Sequence, residues 1–183
     1  GGENAENYSN LARSFRGLNR LEESKATIQQ GIAERFTGIG YQRVLYSIAF
    51  LEGNEAAMQQ QVELARGKPL EASMVVEQAG TAAYSGRVRK ARELYDRATQ
   101  LSRDRAENVA QAMLSKLQME VHFGDCRQLK EDVSNGLGVA RTKTTLPTAA
   151  IALAECGETS HAQSLIDELT KRYPKDTRLN RMW

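Results

Sequence analysis

Residues 84–98 read YSGRVRKARELYDRA. Gly86 supplies a tight turn, and Ala91, Tyr95 and Ala98 follow it at spacings of i, i+4 and i+7, which places their side chains on one face of a helix. Small apolar residues also precede the turn, as at Ala82. The stretch therefore predicts two helices that are joined by a short turn and pack against each other through small side chains.

The same pattern recurs along the chain. Turn residues follow one another at intervals of 34, 33, 38 and 33 residues, and they are Asn19, Gly53, Gly86, Gly124 and Gly157. Small or apolar residues after each turn give intervals of 33, 34, 38 and 33, at Ser24, Ala57, Ala91, Leu129 and Ala162. Four and seven residues further on, the same helix face carries Ile28, Gly31, Gln61, Leu64, Tyr95, Ala98, Val133, Gly136, Ile166 and Leu169. Two series that agree over five units indicate a helical repeat.

These units resemble tetratricopeptide repeats. The resemblance is carried by Gly86, Ala91, Tyr95 and Ala98, by Gly157, Ala162, Ile166 and Pro174, and by Tyr8, Leu11, Ala12 and Phe15. It implies an all-α fold, a right-handed α-solenoid of about five helix–turn–helix repeats. The whole chain, 1–183, would then form a single repeat domain with units at 5–38, 39–69, 70–104, 105–142 and 143–176, and a sixth beginning at 177–183.

Some residues depart from the repeat pattern. Gln61 stands where an aromatic is usual in the resembling family, and the fourth unit carries Lys116 and Glu120 at positions that favour small or apolar side chains. A slipped register is therefore expected in the fourth unit, with a buried face made of Leu114, Leu117 and Val121. Thr145 is expected to be the N-cap of the helix that follows it.

Composition narrows the classes of function. The chain has 25 Lys+Arg against 23 Asp+Glu, a balance that argues against a dedicated nucleic-acid binder or a polybasic membrane binder. No apolar run approaches the ~20 residues that span a bilayer, and the start of the chain lacks the features of a signal peptide. The absence of an initiator Met suggests a piece of a longer protein. We expect a cytoplasmic location, with an extracytoplasmic one left open if a membrane segment precedes Gly1.

No catalytic motif stands out. The two histidines, His122 and His161, lack the spacing of a metal site, and neither a nucleophile elbow nor a phosphate-binding loop is present. Cys126 and Cys156 form neither a close metal pair nor a disulfide framework, so both are expected to be small packing residues. The basic run at 87–92 is expected to be an exposed charged turn. We therefore predict a segment that is not an enzyme and uses no metal and no cofactor.

A partner-binding surface is the leading functional prediction. The resemblance implies that the first helix of each pair lines a concave groove, whose candidate residues are Ser9, Asn10, Arg13, Arg16, Arg43, Ser47, Phe50 and Tyr84. Arginine binds carboxylates through two parallel hydrogen bonds, which favours a protein or peptide partner with an acidic portion. The competing interpretation is a solvated polar face with no partner. Neither nucleic-acid binding nor membrane insertion is predicted.

A narrower resemblance concerns the parent protein. Gly124-Asp125-Cys126 and the stretch 171–177 resemble bacterial signalling proteins in which a repeat array follows a Ser/Thr protein kinase or a winged-helix regulator domain. The alternative function is therefore a regulatory, sensory or dimerisation segment of such a protein. Apolar residues in the truncated sixth unit, Leu179, Met182 and Trp183, would also favour self-association.

Overall fold

A computed structural model describes residues 2–36, 39–69 and 71–175. Within these residues the chain is helical and contains no strand, so the predicted all-α class is confirmed. The helices are α1 (Gly2–Gly17), α2 (Leu21–Ala33), α3 (Ile39–Leu51), α4 (Glu55–Ala65), α5 (Glu71–Tyr84), α6 (Val88–Leu101), α7 (Ala106–His122), α8 (Leu129–Val139), α9 (Thr145–Glu155) and α10 (Thr159–Arg172). The predicted sixth unit, 177–183, lies outside the described residues.

The turns within the helix pairs lie where the sequence predicts them. The five turn residues have positive φ: Asn19 at 58°, Gly53 at 66°, Gly86 at 71°, Gly124 at 83° and Gly157 at 81°. Glycine and, less readily, asparagine adopt this left-handed conformation, which ends one helix and lets the chain reverse. The helices pack in the pairs α1–α2, α3–α4, α7–α8 and α9–α10, and the turn at Gly86 connects α5 to α6 along the chain.

The chain divides into two compact units, residues 1–81 and residues 82–183, and the division falls inside α5. In the first, here called the N-terminal unit, α1 packs against α2 and α3, and α3 packs against α4. Its buried side chains form two clusters, one with Ala5, Ala12, Ile28, Tyr41, Val44 and Ile48 and the other with Tyr46, Ala65 and Met74.

The second, or C-terminal, unit has a core cluster built from α7 to α10. Here α7 packs against α6, α8 and α9, and α9 packs against α10. Leu114, Leu117 and Val121 are all buried in this core, which confirms the slipped register predicted for the fourth repeat. The other buried members come from α8 to α10 and include Leu129, Val133, Leu137, Leu146, Leu153, Leu165 and Leu169.

The face of α4 differs from the prediction. Leu64 was expected on the buried stripe, but its side chain is 45% exposed, while its neighbour Ala65 is fully buried. Gln61 is buried, as its place on the stripe predicts, yet its Oε1 atom has no hydrogen-bond partner among the described residues. The α4 helix therefore turns a slightly different face to the core than predicted. The Gln61 oxygen is buried there without a hydrogen bond from any described residue.

Thr145 is not an N-cap, contrary to the prediction. It is the first residue of α9, and Thr144 holds the N-cap position without a side-chain capping bond. The Thr145 hydroxyl is fully buried, donates to the carbonyl oxygen of Ala140 at 2.9 Å and accepts from the backbone N–H of Thr142 at 2.8 Å. Thr145 therefore stabilises the loop between α8 and α9 instead of the helix terminus.

The cysteines are not simple packing residues either. Cys126 and Cys156 form a disulfide, with their Cα atoms 6.0 Å apart. Cys126 lies in the connection after α7 and Cys156 directly follows α9, and the packing of α7 on α9 brings these two helix ends together. In the part of the chain that the structure describes, none of the helices is both long and apolar enough to cross a membrane.

Candidate interaction site

The candidate site is built on a close crossing of α1 and α3 in the N-terminal unit. Gly40, near the start of α3, lies over Ser9 of α1, and a Cβ atom added to Gly40 would be 2.7 Å from the Cβ of Ser9. Only a residue without a side chain allows this approach. Ser9 is 3% exposed and is enclosed by the crossing, so this predicted groove residue lies inside the unit.

A cavity of about 260 Å³ opens beside this crossing. Its lining comes from α1, α3 and the part of α5 that belongs to the N-terminal unit, and consists of Arg13, Arg16, Gly40, Arg43, Val44, Ser47 and Glu77. Four of the predicted site residues, the three arginines and Ser47, therefore lie around one cavity. All are carried by helices, which hold their backbones in fixed positions.

The arginines differ in their partners. Arg43 is paired with Glu77: its Nε donates to Oε1 of the carboxylate at 2.7 Å. Arg13 makes only a long bond within its own helix, from Nε to the Ser9 carbonyl oxygen at 3.4 Å. No carboxylate among the described residues lies within ion-pair distance of Arg13 or Arg16. Three guanidinium groups and one carboxylate thus line the cavity, which leaves an excess of positive charge.

The remaining predicted residues lie apart from this cavity. Asn10 is exposed on α1 and Phe50 is half-buried near the end of α3, but neither lines the cavity. Tyr84 is 84% exposed at the end of α5 and belongs to the C-terminal unit. The Ser47 hydroxyl donates to the Arg43 carbonyl oxygen at 2.7 Å, one turn back in α3.

Sequence reasoning missed three lining residues, Gly40, Val44 and Glu77, of which only Glu77 is charged. Glu77 follows Arg43 by 34 residues, which is one repeat interval. Residues one repeat apart occupy equivalent positions on first helices of consecutive pairs, and so opposite charges at this interval are a signal for an ion pair between neighbouring helices.

A second cavity, of about 240 Å³, lies in the C-terminal unit beside α7 and α8, and its lining includes Glu120, Asp125, Arg127 and Asp132. Two of its three carboxylates are paired with arginines. Arg92 pairs with Glu120, and the guanidinium of Arg127 lowers the pKa of Asp125 from 3.8 to about 2. Burial, with help from the charge of Glu120, raises the pKa of Asp132. Three carboxylates and one guanidinium thus line this cavity, and its acidic excess does not suit an acidic ligand.

No catalytic or metal-binding constellation emerges from the described residues. His122 lies 3.1 Å from a carboxylate oxygen of Glu155 and His161 lies 2.9 Å from one of Glu158, so each histidine has its own acidic partner. No group of three or more His, Cys, Asp or Glu side chains in the described ranges is arranged to hold a metal ion.

No family model matches the chain, and no curated protein matches it.

Proposed function

We propose that this chain is a protein-interaction module that holds an acidic segment of a protein or peptide partner in the arginine-lined cavity of the N-terminal unit. The observation that carries the proposal is the position of Arg13 and Arg16. Both line one cavity, and neither has a carboxylate partner among the described residues. A cavity with fixed walls and unneutralised guanidinium groups favours a ligand that brings carboxylates.

The size of the cavity favours side chains over a small molecule. Sites for cofactors and drug-sized ligands usually enclose ~300–1,000 Å³, and this cavity holds about 260 Å³. One or two carboxylate side chains of an extended segment would fill such a space. The planar guanidinium donates two parallel hydrogen bonds to a carboxylate, so both Glu and Asp side chains suit it.

The solvent exposure of Arg13 and Arg16 sets the expected strength of their ion pairs with the partner. Arg13 is exposed and Arg16 is partly buried, so each new pair should contribute about 0.5–1 kcal/mol, near the upper end of what solvent-exposed ion pairs give. Binding should weaken as salt is added, because the ionic atmosphere screens exposed charges beyond about 10 Å at 0.1 M. The expected partner is therefore held weakly and reversibly at this cavity.

Glu77 acts as a selectivity element in this proposal. Its carboxylate occupies Arg43 and repels an incoming acidic side chain, so it limits the number of carboxylates that the cavity accepts. Replacing it, Glu77→Gln, removes the repulsion and frees the charge of Arg43. This variant should bind an acidic peptide several-fold more tightly than the native chain does.

The test is fluorescence anisotropy with a labelled peptide of alternating Glu and Gly, beside a peptide in which Gln replaces each Glu. The native chain should prefer the acidic peptide. The double variant Arg13→Gln, Arg16→Gln should lose about tenfold in affinity, which corresponds to about 1.4 kcal/mol. The double variant Arg103→Gln, Arg105→Gln, at two exposed arginines between α6 and α7, removes the same number of charges; it is the matched control and should bind as the native chain does.

Two results would contradict the proposal. One is equal affinity of the native chain for the acidic and the neutral peptide. The other is an equal loss of affinity in the cavity variant and in the control variant Arg103→Gln, Arg105→Gln, because net charge alone would then explain the binding.

A further inference from the structure

The disulfide joins two helix ends in the C-terminal unit. Cys126 lies in the connection between α7 and α8, and Cys156 is the C-cap residue of α9, 30 residues later in the chain. The covalent loop closed by the bond therefore contains all of α8 and α9. Cys126 is exposed, whereas Cys156 is partly buried and packs against the core of the unit.

Other contacts join the segments that flank the two cysteines. His122, at the end of α7, lies 3.1 Å from Glu155 at the end of α9, and Lys130 of α8 lies 2.8 Å from Glu158 at the start of α10. These contacts and the α7–α9 packing hold the two cysteines close to each other, independently of the bond. The fold thus raises the effective concentration of one thiol at the other.

The surroundings of Cys156 favour the oxidised state. A thiolate there would lie at the C-terminus of α9, where the partial negative charge of the helix dipole disfavours an anion. Thiol–disulfide exchange proceeds faster when the departing sulfur is a stable thiolate. Attack on the exposed Cys126 sulfur would expel the disfavoured Cys156 thiolate, so reduction by this route is hindered.

We infer that Cys126–Cys156 is a standing structural crosslink of the C-terminal unit, and that the chain reaches its full stability only in an oxidising compartment. Formation of the bond removes two electrons and two protons from the two thiols. The acceptor is the disulfide form of a dithiol oxidoreductase, which becomes a dithiol, or glutathione disulfide, which becomes two glutathione thiols. The exposed Cys126 is the sulfur that such an oxidant reaches first. The working location is then oxidising, in contrast to the cytoplasmic location expected from the sequence.

The expected effect follows from the length of the closed loop. Crosslinking a loop of about 30 residues restricts the unfolded chain enough to shift the unfolding equilibrium by roughly 300-fold. Because linkage is reciprocal, folding should raise the equilibrium constant for formation of the bond by the same factor.

Hydrogen exchange on the full chain tests whether the disulfide stabilises the C-terminal unit. In the reduced protein, and in the variant Cys126→Ser, Cys156→Ser, the slowest amides of α8 and α9 should exchange roughly 300-fold faster than in the oxidised protein. The slowest amides of α1 and α3 provide the internal control and should be unchanged. Equal rates in α8 and α9 with and without the bond would overturn the inference, and so would an equal acceleration in both units.

A glutathione titration tests whether folding favours formation of the disulfide. The ratio of reduced to oxidised glutathione at which half of the chain carries the bond is measured for the native protein and for the protein in concentrated urea. The equilibrium constants should differ by roughly 300-fold in favour of the native state. The same constant in both states would mean that the fold does not favour the bond, and the inference would then be wrong.

Discussion

The crossing of α1 and α3 at Gly40 is the place where one added methyl group should most disturb the candidate site. A Cβ atom at Gly40 would lie 2.7 Å from the Cβ of Ser9, whereas real Cβ atoms essentially never approach another heavy atom within 3.0 Å. The Cβ of Ser9 is fixed to the backbone of α1, so no rotation of a side chain can relieve this contact. The Gly40→Ala change must therefore push the two helices apart.

Two opposing effects set the change in the free energy of unfolding that Gly40→Ala should cause. Alanine is favoured over glycine within a helix by about 1 kcal/mol, while overpacking a close contact costs about 1–3 kcal/mol. Gly80 of α5 is the matched control, since it is helical, belongs to the same unit and has no heavy atom within 4 Å of an added Cβ. Gly80→Ala should thus gain about 1 kcal/mol, and Gly40→Ala should be about 1–3 kcal/mol less stable than that control.

Urea unfolding followed by far-ultraviolet circular dichroism measures both variants, and hydrogen exchange of α1 assigns the change to the N-terminal unit. The double variant Ser9→Gly, Gly40→Ala removes the clashing atom and should recover part of the loss. If Gly40→Ala proves as stable as Gly80→Ala, the close crossing does not exist as described. The reasoning about the cavity beside it would then fail as well.

Three further changes test other features of the fold. Gln61→Leu removes a buried oxygen that has no partner among the described residues, and should stabilise the N-terminal unit by about 1 kcal/mol in urea unfolding; a loss of stability would contradict this. Thr145→Val leaves the backbone N–H of Thr142 without its acceptor and should destabilise the C-terminal unit by about 1–3 kcal/mol, and an unchanged midpoint would show that the bond is dispensable. Arg127 lowers the pKa of Asp125 from 3.8 to about 2, so the ionised carboxylate stabilises the fold above its unfolded pKa near 3.8, and this contribution disappears as the pH falls towards 2. Asp125→Asn should flatten that part of the acid unfolding curve, and a carboxyl titration by NMR with a midpoint near 3.8 would refute the lowered pKa.

Local features of this fold were predictable from the sequence. A turn that requires positive φ needs glycine or asparagine, so the regular spacing of such residues was enough to locate all five turns within the helix pairs. Helical periodicity also identified the buried face of α7, including Leu114 and Leu117. In α4 the periodicity failed by one position: it predicted a buried Leu64, but the packing buries the neighbouring Ala65. Periodicity defines a face only to within about one residue, and the neighbouring helices decide the rest.

Contacts between consecutive repeats were harder to predict. The disulfide joins residues 30 positions apart, and the Arg43–Glu77 pair spans 34. Neither spacing matches a familiar motif, yet both are close to one repeat interval, and both cysteines lie within two residues of a turn glycine. Comparing residues at equivalent positions of successive repeats would have suggested the Arg43–Glu77 pair, whereas only the closeness of both cysteines to turn glycines pointed to the disulfide. Ser9 was also misjudged as an accessible groove residue, because the helical phase does not show how closely α3 approaches α1.

The most direct test of the proposed function is the hydrogen-exchange footprint of the acidic Glu–Gly peptide on the full chain. The account predicts slower exchange in α1 around Arg13 and Arg16 and in α3 around Arg43, with no change in α8 to α10. A footprint on the basic run 87–92, or on the C-terminal unit alone, would place the acidic partner elsewhere and contradict the assignment of the cavity.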